Sequence, residues 1–252
     1  MTALVMDGLL LRTEITAAIR AAIDGGRTAP CLATVVVGDN PRCHVFARDK
    51  RSAAAEAGLG TVAVDLTGAA TQDQVDDAIA RLADDPGVHG IFVQLPVPGH
   101  IQIRDLVPPA KDVDGARPDS LHAPTTPLAV ALLLERFGIP IDGRRVVVVG
   151  TCGSRGMEAV LAGRGADVTV IDEASPDACR EAEVLVATAG RPCSIGADHV
   201  RPGAAVVDVA GDVDTGPVQA VAAAIAPYPA AVGPVAVACL LRNTADAAKL
   251  GR

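Results

Sequence analysis

Three lysines stand out in this 252-residue chain because nearly every other basic residue is arginine. Of the 22 lysines and arginines, only Lys50, Lys111 and Lys249 are lysines, which leaves 22 − 3 = 19 arginines. A buried lysine amine can lose its proton and serve as a base, whereas a guanidinium keeps its proton. The role of a lysine retained in so arginine-rich a chain is therefore worth asking about, and a solvated helix charge is the alternative interpretation.

Two of these lysines lie in segments that carry candidate functional residues. Lys50 closes the segment 45–50 at the start of a predicted helix, and KDVDG (111–115) lies in a Pro- and Gly-rich loop. Sites in parallel sheets form at the carboxyl ends of strands, so Gln94 and the turn after Val37 are expected to face one crevice. KDVDG is also compatible with a plain turn in which an aspartate bonds its own backbone.

A glycine-rich turn follows the clearest predicted strand, Arg145–Val149. It reads GTCGSRG over residues 150–156 and leads into a predicted helix. Glycines at such a turn let backbone N–H groups approach a pyrophosphate, which the helix N-terminus also attracts. The spacing is GxxGxxG and not GxGxxG, so a tight turn without a ligand is the alternative. Asp172, about 20 residues further on at the end of the next predicted strand, favours a dinucleotide site.

The acidic pair Asp172-Glu173 bears on the choice of dinucleotide. A carboxylate at this position accepts hydrogen bonds from the ribose hydroxyls and repels a 2′-phosphate. The pair therefore predicts NAD in preference to NADP. Arg155 would weaken this preference if it faced the adenosine ribose.

The composition excludes several classes of protein. Half of the residues are hydrophobic, the formal charge is 22 − 30 = −8, and the aromatic residues are three Phe and one Tyr. The chain is too apolar for a disordered protein, and too acidic and poor in rings for a nucleic-acid binder. No apolar run approaches the roughly 20 residues that span a bilayer, and a basic signal-peptide start is missing. We therefore expect no nucleic-acid or membrane partner and a cytoplasmic location.

The cysteines and histidines show no spacing typical of a metal site, so we expect none. Cys43 and Cys152 have no obvious neighbouring base and are interpreted as small packing residues. Reduced thiols are expected for all six cysteines, which are Cys31, Cys43, Cys152, Cys179, Cys193 and Cys239. Structural or surface roles are expected for the five scattered histidines, which are His44, His89, His100, His122 and His199.

Strands and helices alternate along the chain, which predicts an α/β fold with parallel sheets. The predicted strands are Cys31–Val37, Thr61–Leu66, Val88–Leu95, Arg145–Val149, Val168–Asp172, Val184–Thr188 and Ala204–Val209. The predicted helices are Leu9–Ile23, Cys43–Ala57, Thr71–Ala83 with Thr71 as N-cap, Pro127–Phe137 with Thr126 as N-cap, Met157–Arg164 and Val232–Leu250. We place a boundary near residue 126, with the last helix returning to the first half.

Over nearly its whole length the chain resembles the methylenetetrahydrofolate dehydrogenase/methenyltetrahydrofolate cyclohydrolase family, the FolD-type enzymes, as a divergent member. The matching stretches are VVVGDNP (35–41), Lys50, HGIFVQLPVPGHI (89–101), KDVDG (111–115), PTTP (124–127), VVVVG (146–150), RPGAAVVDV (201–209) and VGPVAVACLLRNT (232–244). The resemblance implies a parallel-sheet folate domain, residues 1–125 and 232–252, and a Rossmann NAD(P)-binding domain, residues 126–231. It also implies a homodimer.

The family's functional residues transfer to three sets of positions. The resemblance implies Lys50 as the catalytic lysine, Gln94 as its hydrogen-bond partner and Asp114 as the carboxylate that binds the pterin. The substrate-binding set it implies is Phe46, Val93, Leu95, Pro229, Ala230, Ala231, Val232 and Gly233. With the glycine turn and the acidic pair, the cofactor-binding set is Gly150, Thr151, Cys152, Gly153, Asp172, Glu173 and Gly211.

The implied chemistry suits these groups. A hydride leaves 5,10-methylenetetrahydrofolate, the substrate form of the tetrahydrofolate carrier, for the nicotinamide of NAD or NADP, and water then opens the methenyl product to 10-formyltetrahydrofolate. The first step needs mainly orientation. The second needs a group that steers water and moves protons, which an amine with a lowered pKa can do. Alternatives are an enzyme serving a specialised pathway and a degenerate homologue that binds folate or nucleotide without turnover.

The chain departs from the family pattern at four places. Phe46 stands where the family has Tyr, which keeps ring stacking but removes a hydroxyl able to bond the lysine. Residues 150–152 stand where the family has Gly-Arg-Ser, and residues 172–173 stand where it has His-Ser. Both changes remove groups associated with holding a 2′-phosphate, which agrees with the prediction of NAD. PAAVGPVA (229–236) replaces PGGVGPMT, and the added methyl groups are expected to narrow the folate site.

Overall fold

The computed structural model describes residues 2–25, 29–103, 105–150 and 154–250, except for the side chains of 154, 155 and 250. The chain divides into two compact units, one formed by Met1–Thr13 and Thr126–Ala236 and the other by Glu14–Thr125 and Val237–Arg252. Among the described residues, no helix combines the length and apolar character needed to cross a membrane.

The second unit contains a three-stranded parallel sheet. Its strands are β2 (Cys31–Val37), β3 (Gly60–Leu66) and β4 (Gly90–Gln94), in the order β3-β2-β4. The central strand β2 is an unbroken apolar run and all but its first residue is buried, as expected for a parallel strand covered on both faces.

Helices cover both faces of this small sheet. They are α1 (Leu9–Asp24), α2 (Pro41–Glu56), α3 (Gln72–Asp84) and the C-terminal part of α8 (Val232–Leu250). Side chains alternate along a strand, so Leu32 packs with α1, α2 and α8, whereas Ala33 and Val35 pack with α3. The prediction that Thr71 is the N-cap of α3 is confirmed. The prediction that the last helix packs on the first half of the chain is confirmed as well.

The first unit contains a six-stranded parallel sheet in the order β1-β9-β8-β7-β5-β6. Its strands are β1 (Leu4–Val5), β5 (Arg145–Val149), β6 (Asp167–Ile171), β7 (Val184–Ala187), β8 (Ala205–Asp208) and β9 (Ala224–Ala226). Its helices are α4 (Thr125–Arg136), α5 (Ser154–Ala162), α6 (Pro176–Arg180), α7 (Thr215–Val218) and the start of α8, with a 3₁₀ turn at Ala197–His199. The strand order reverses at β5, where such sheets bind dinucleotides.

The N-terminal residues lie in the unit with the larger sheet and not with the first domain, where the sequence analysis places them. Leu4 and Val5 pair with Ala224 and Ile225 of β9 and extend that sheet by one strand. Both β1 and β9 are too short to produce a period of two in the sequence, so neither strand is predicted.

Helix α4 begins at Thr125, so the prediction of Thr126 as N-cap is wrong. The backbone N–H of Thr125 donates to the carbonyl of Asp114 at 3.0 Å, and its hydroxyl donates to the carboxylate of the same residue at 2.6 Å. The KDVDG loop therefore supplies an acceptor for one of the backbone N–H groups that have no partner within the helix.

Lys111, the second of the three lysines, stabilises the end of α3. Its Nζ donates to the carbonyls of Leu82, Ala83 and Asp85 at 3.2, 2.6 and 2.7 Å. These carbonyls lack partners within the helix, and a cation there also interacts favourably with the helix dipole. The structure thus gives Lys111 a structural role.

We expect Lys111→Met to lower the free energy of unfolding by about 2 kcal/mol, because several charge-assisted hydrogen bonds are lost. For a chain of this size, this corresponds to a fall of about 4–8 °C in Tm, measured by calorimetry. Lys249→Met is the matched control, since Lys249 is exposed and bonds only Asp246 one helical turn away among the described contacts. Equal losses of Tm in the two variants would contradict the capping role.

Candidate functional site

Lys50 lies on α2 beside the carboxyl end of β4. Its Nζ donates to Oε1 of Gln94 at 3.1 Å and lies 4.6 Å from the centre of the Phe92 ring. The Phe46 ring, one helical turn earlier, has its centre 5.8 Å from the same nitrogen. The ammonium group therefore has one amide partner and two aromatic rings around it.

Burial lowers the pKa of Lys50 below that of an ordinary lysine. The negative charges of Asp114 and Asp49 act in the opposite direction but are smaller effects. Lys50 is thus held so that its amine gives up a proton more easily than a surface lysine does. This is the property that proton transfer near neutral pH requires.

Gln94 has its side-chain amide fixed in one orientation. Its Nε2 donates to the carbonyl of Leu95 at 2.7 Å, so Oε1 is the atom that accepts from Lys50. The residue is nearly buried, and the Leu95-Pro96 peptide that follows it is cis. Cys43, also buried, places its Sγ 3.5 Å from the Leu95 carbonyl, in agreement with a packing role.

Asp114 lies in the loop of the same unit and bonds Thr125 through its carboxylate Oδ1 at 2.6 Å. Burial raises the pKa of Asp114, and the nearby charge of Asp112 adds to this effect. The hydrogen bond from Thr125 and the charge of Lys50 act in the opposite direction. Asp114 is therefore a shielded carboxyl group whose ionisation depends on the groups around it.

The loop that carries Asp114 is held at both ends. Asn243 of α8 donates from Nδ2 to the carbonyls of Val113 and Ala123 at 2.9 and 3.0 Å. Gly115 has φ +67°, and a Cβ there would lie 2.6 Å from the backbone of Pro124. Only glycine fits so close an approach, which explains the glycine of KDVDG.

Apolar side chains lie beside the lysine and the glutamine. Phe46 and Leu95 are each about half exposed, whereas Val93 points to the opposite face of β4 from Gln94 and packs with the residues of α3. Among the predicted residues, the structure brings Phe46, Lys50 and Gln94 into direct proximity, with Leu95 next in the chain. An exposed ring beside a partly buried amine suits a flat aromatic ligand.

Gly150 ends β5 in the first unit and has φ +102°. A Cβ there would lie 2.7 Å from the backbone of Ala189, so this turn requires glycine. Its own N–H donates to the carbonyl of Ile171, and α5 begins at Ser154. The predicted residues Thr151, Cys152 and Gly153 lie outside the described residues. A glycine at the end of β5 and a helix that begins at Ser154 fit a pyrophosphate site.

Asp172 and Glu173 are exposed just after β6, the strand that pairs with β5. Glu173 forms an ion pair with Arg191 at 2.8 Å, a contact that the sequence analysis does not predict. Asp172 has no such partner among the described residues.

Gly211 lies in a turn organised by the buried Asp208. The Asp208 carboxylate accepts hydrogen bonds from the N–H groups of Gly211, Asp212 and Val213 at 2.8, 3.0 and 3.2 Å. A Cβ on Gly211, which has φ +88°, would lie 3.3 Å from the Tyr228 ring. The N–H of Gly211 is already used, so any ligand contact there would involve its Cα or carbonyl.

Only some of the side chains in the predicted folate-lining segment 229–233 are exposed. Pro229 and Ala230 are exposed, as is Gly233, whereas Ala231 and Val232 are buried. Of the two added methyl groups, that of Ala231 points into the protein and only that of Ala230 is exposed. The expected narrowing of the folate site therefore depends on Ala230.

Two residues of the site, Phe92 and Thr125, are not predicted from the sequence. Phe92 is two residues before Gln94 on β4, and residues i and i+2 of a strand share a face. This periodicity could have placed its ring beside Lys50. No local sequence signal connects Thr125 with Asp114, because the contact depends on how the loop folds back.

Each of the five histidines has a hydrogen-bond partner within the protein. His44, His100 and His122 bond backbone carbonyls, His89 accepts from the Cys31 N–H, and His199 contacts Asp198. In the part of the chain that the structure describes, no group of three or more His, Cys, Asp or Glu residues could hold a metal ion.

Comparison with known families matches both parts of the chain. The model of the tetrahydrofolate dehydrogenase/cyclohydrolase catalytic domain matches residues 6–114, and that of the corresponding NAD(P)-binding domain matches residues 124–252. The first contains Lys50, Gln94 and Asp114, and the second contains Gly150 and Asp172.

Individual relatives match over the full length. The bifunctional protein FolD of Methanoculleus marisnigri is 37% identical over 98% of this chain and 97% of its own. The methylenetetrahydrofolate dehydrogenase-cyclohydrolase (FolD) of Trypanosoma brucei, solved with NADP and an inhibitor, is 30% identical, with a TM-score of 0.93 over 99% of this chain and 98% of its own. The bifunctional FolD enzyme of Campylobacter jejuni is 32% identical, with a TM-score of 0.91 over 98% of both chains.

Proposed function

Because the chain belongs to the tetrahydrofolate dehydrogenase/cyclohydrolase family, we propose that it oxidises 5,10-methylenetetrahydrofolate with a nicotinamide dinucleotide and hydrolyses the methenyl product to 10-formyltetrahydrofolate. The observation that carries this proposal is the bond of 3.1 Å between Lys50 and Gln94, in the same unit as the shielded carboxylate Asp114. A partly buried amine, an amide of fixed orientation and a carboxylate are the groups that the two reactions need.

The oxidation depends on how the folate is held. The ionised carboxylate of Asp114 can accept hydrogen bonds from the amino group and ring N–H of the pterin, and the exposed ring of Phe46 can stack on it. When bound, the nicotinamide accepts the hydride. The residues of this chain contribute orientation in this step, because no acid or base is required to form the methenyl product.

The hydrolysis depends on Lys50. Water adds to the methenyl carbon, the bond from that carbon to N5 breaks, one proton of the water ends on N5 and the other is released. With its pKa lowered by burial, the Lys50 amine can accept a proton from the water and return it. Gln94 keeps the amine in place through Oε1, whose orientation is fixed by the bond from Nε2 to Leu95.

We further propose that NAD is preferred to NADP. Asp172 is exposed beyond β6, next to the strand that leads into the Gly150 turn. A 2′-phosphate near this carboxylate would meet a like charge, which costs several kcal/mol when the charges are close. The ion pair of Arg191 with Glu173 supports the proposal, because it partly neutralises a cation that could attract the phosphate.

The cofactor proposal is tested by steady-state rates with NAD and with NADP at equal folate concentration. We expect kcat/KM to be at least about tenfold higher with NAD, and Asp172→Ser to reduce this ratio about tenfold by removing the repulsion. Asp177→Ser, which removes an equally exposed carboxylate from α6 of the same unit, is the control and should leave the ratio unchanged. A wild-type enzyme that turns over faster with NADP would refute the preference.

We also propose that the enzyme is a cytoplasmic homodimer, as the family resemblance implies. Sedimentation equilibrium on the purified protein tests the assembly. A mass of twice the 25.5 kDa chain is expected, and a monomer at micromolar concentration would contradict it.

A further inference from the structure

We propose that Thr125 is a positioning residue for folate binding: its hydroxyl holds Asp114 by one carboxylate oxygen and thereby fixes the orientation in which the carboxylate meets the pterin. The inference rests on the proposed function, because it assigns a partner to the carboxylate that binds the substrate.

The contact is short and shielded. Thr125 Oγ1 donates to Asp114 Oδ1 at 2.6 Å, and only 6% of Thr125 is exposed. The backbone N–H of Thr125 also donates to the carbonyl of Asp114 at 3.0 Å. Two bonds to the same residue, one from the backbone and one from the side chain, fix both the position of Asp114 and the rotation of its carboxylate.

The arrangement leaves acceptor capacity on both carboxylate oxygens for the ligand. The hydroxyl uses one lone pair of Oδ1, and no donor reaches Oδ2 from any residue that the structure describes. An amino group and a ring N–H presented side by side need acceptors at a fixed orientation. The hydroxyl of Thr125 supplies that orientation before the substrate arrives, which reduces the entropy lost on binding.

The groups that face Asp114 act on its pKa in opposite directions. Burial and the neighbouring Asp112 favour the neutral acid, whereas Lys50 of α2 and the hydroxyl of Thr125 on α4 favour the carboxylate. Asn243 of α8 contributes no charge and bonds the backbone of the loop. In the neutral acid one oxygen carries a proton and would present a donor, and not an acceptor, to the N–H groups of the pterin. Loss of the Thr125 hydroxyl therefore shifts the balance toward the inactive form.

The test compares Thr125→Val, which keeps the shape and removes the hydroxyl, with Thr125→Ser, which keeps the hydroxyl. A hydrogen bond to a charged group is worth about 1.5–3 kcal/mol, so we expect the Val variant to raise the KM for 5,10-methylenetetrahydrofolate roughly 10- to 100-fold. The acidic limb of its kcat/KM profile should move to higher pH, because the pKa of Asp114 rises. The KM of the Ser variant should stay within about threefold of the wild-type value, and the acidic limb of its kcat/KM profile should lie at the same pH as in wild type.

Thr61→Val is the matched control, since it makes the same change at an exposed position of β3 in the same unit. It should leave KM and the pH limb unchanged. Thr125→Ala serves as the second hydroxyl-free variant if the Val variant does not fold, which a thermal melt will reveal.

The inference is overturned if the Val or Ala variant keeps the wild-type KM and the wild-type acidic limb. It is also overturned if the KM of the Ser variant rises as much as that of the Val or Ala variant. If the wild-type protein does not turn over, the proposed function fails, and the dissociation constant of tetrahydrofolate, measured by calorimetry, then decides about Thr125. Weaker tetrahydrofolate binding by the Val variant, with wild-type affinity in the Ser variant, supports the positioning role. Equal affinity in the wild type, the Val variant and the Ser variant refutes it.

Discussion

Lys50→Arg is expected to abolish the hydrolysis of methenyltetrahydrofolate, with a loss of about 10²- to 10⁴-fold in rate, while the oxidation stays within about tenfold of wild type. Arginine retains the positive charge and much of the length but cannot give up its proton. The amine of Lys50 can, because burial lowers its pKa. The two rates are measured separately, by adding methenyltetrahydrofolate directly and by following NADH.

Lys249→Arg provides the control for this substitution, since Lys249 is exposed on α8 and pairs only with Asp246 among the described contacts. Both activities of that variant should equal those of wild type. Hydrolysis that survives Lys50→Arg would refute the assignment of Lys50, and a parallel loss of both activities would indicate that the lysine binds folate and does not move protons.

Asp114→Asn is expected to reduce kcat/KM for 5,10-methylenetetrahydrofolate about 100- to 1000-fold, with little change in the KM for NAD. The amide has one acceptor and one donor and cannot receive both pterin hydrogen bonds, each worth about 1.5–3 kcal/mol when the acceptor is charged. The acidic limb of the pH profile should also disappear, because Asn does not titrate. Steady-state kinetics at several pH values measures both effects.

Asp119→Asn is the matched control, because Asp119 is exposed close to Asp114 in sequence and bonds Arg117 at the surface. It should alter neither KM nor the pH limb. Near-normal folate kinetics in the Asp114→Asn variant would contradict the role of this carboxylate and with it the role of Thr125.

Much of the fold follows from periodicity and turn residues. β2 and β5 have their predicted bounds, and α8 runs over Val232–Leu250 as predicted, because each is a long apolar signal with clear limits. Thr71 caps α3 because threonine with Gln74 three residues later forms a capping box. β1 and β9 are not predicted, since two or three residues carry no period and their pairing is decided by the rest of the sheet.

The site is predictable to the extent that residue type constrains chemistry. The rarity of lysine singles out Lys50 and Lys111 together, and only the structure separates them: one faces Gln94 and two rings, and the other bonds three carbonyls at the end of α3. Contacts made by folding a loop back, such as the bond between Thr125 and Asp114, leave no periodic pattern in the sequence.

The most direct measurement follows NADH and the folate products together after purified protein is mixed with 5,10-methylenetetrahydrofolate and NAD. Wild type is expected to form one 10-formyltetrahydrofolate per NADH, whereas Lys50→Arg should form NADH and accumulate methenyltetrahydrofolate. Absence of NADH with NAD, and of NADPH when NADP is used instead, would contradict the assignment of this chain as a folate dehydrogenase.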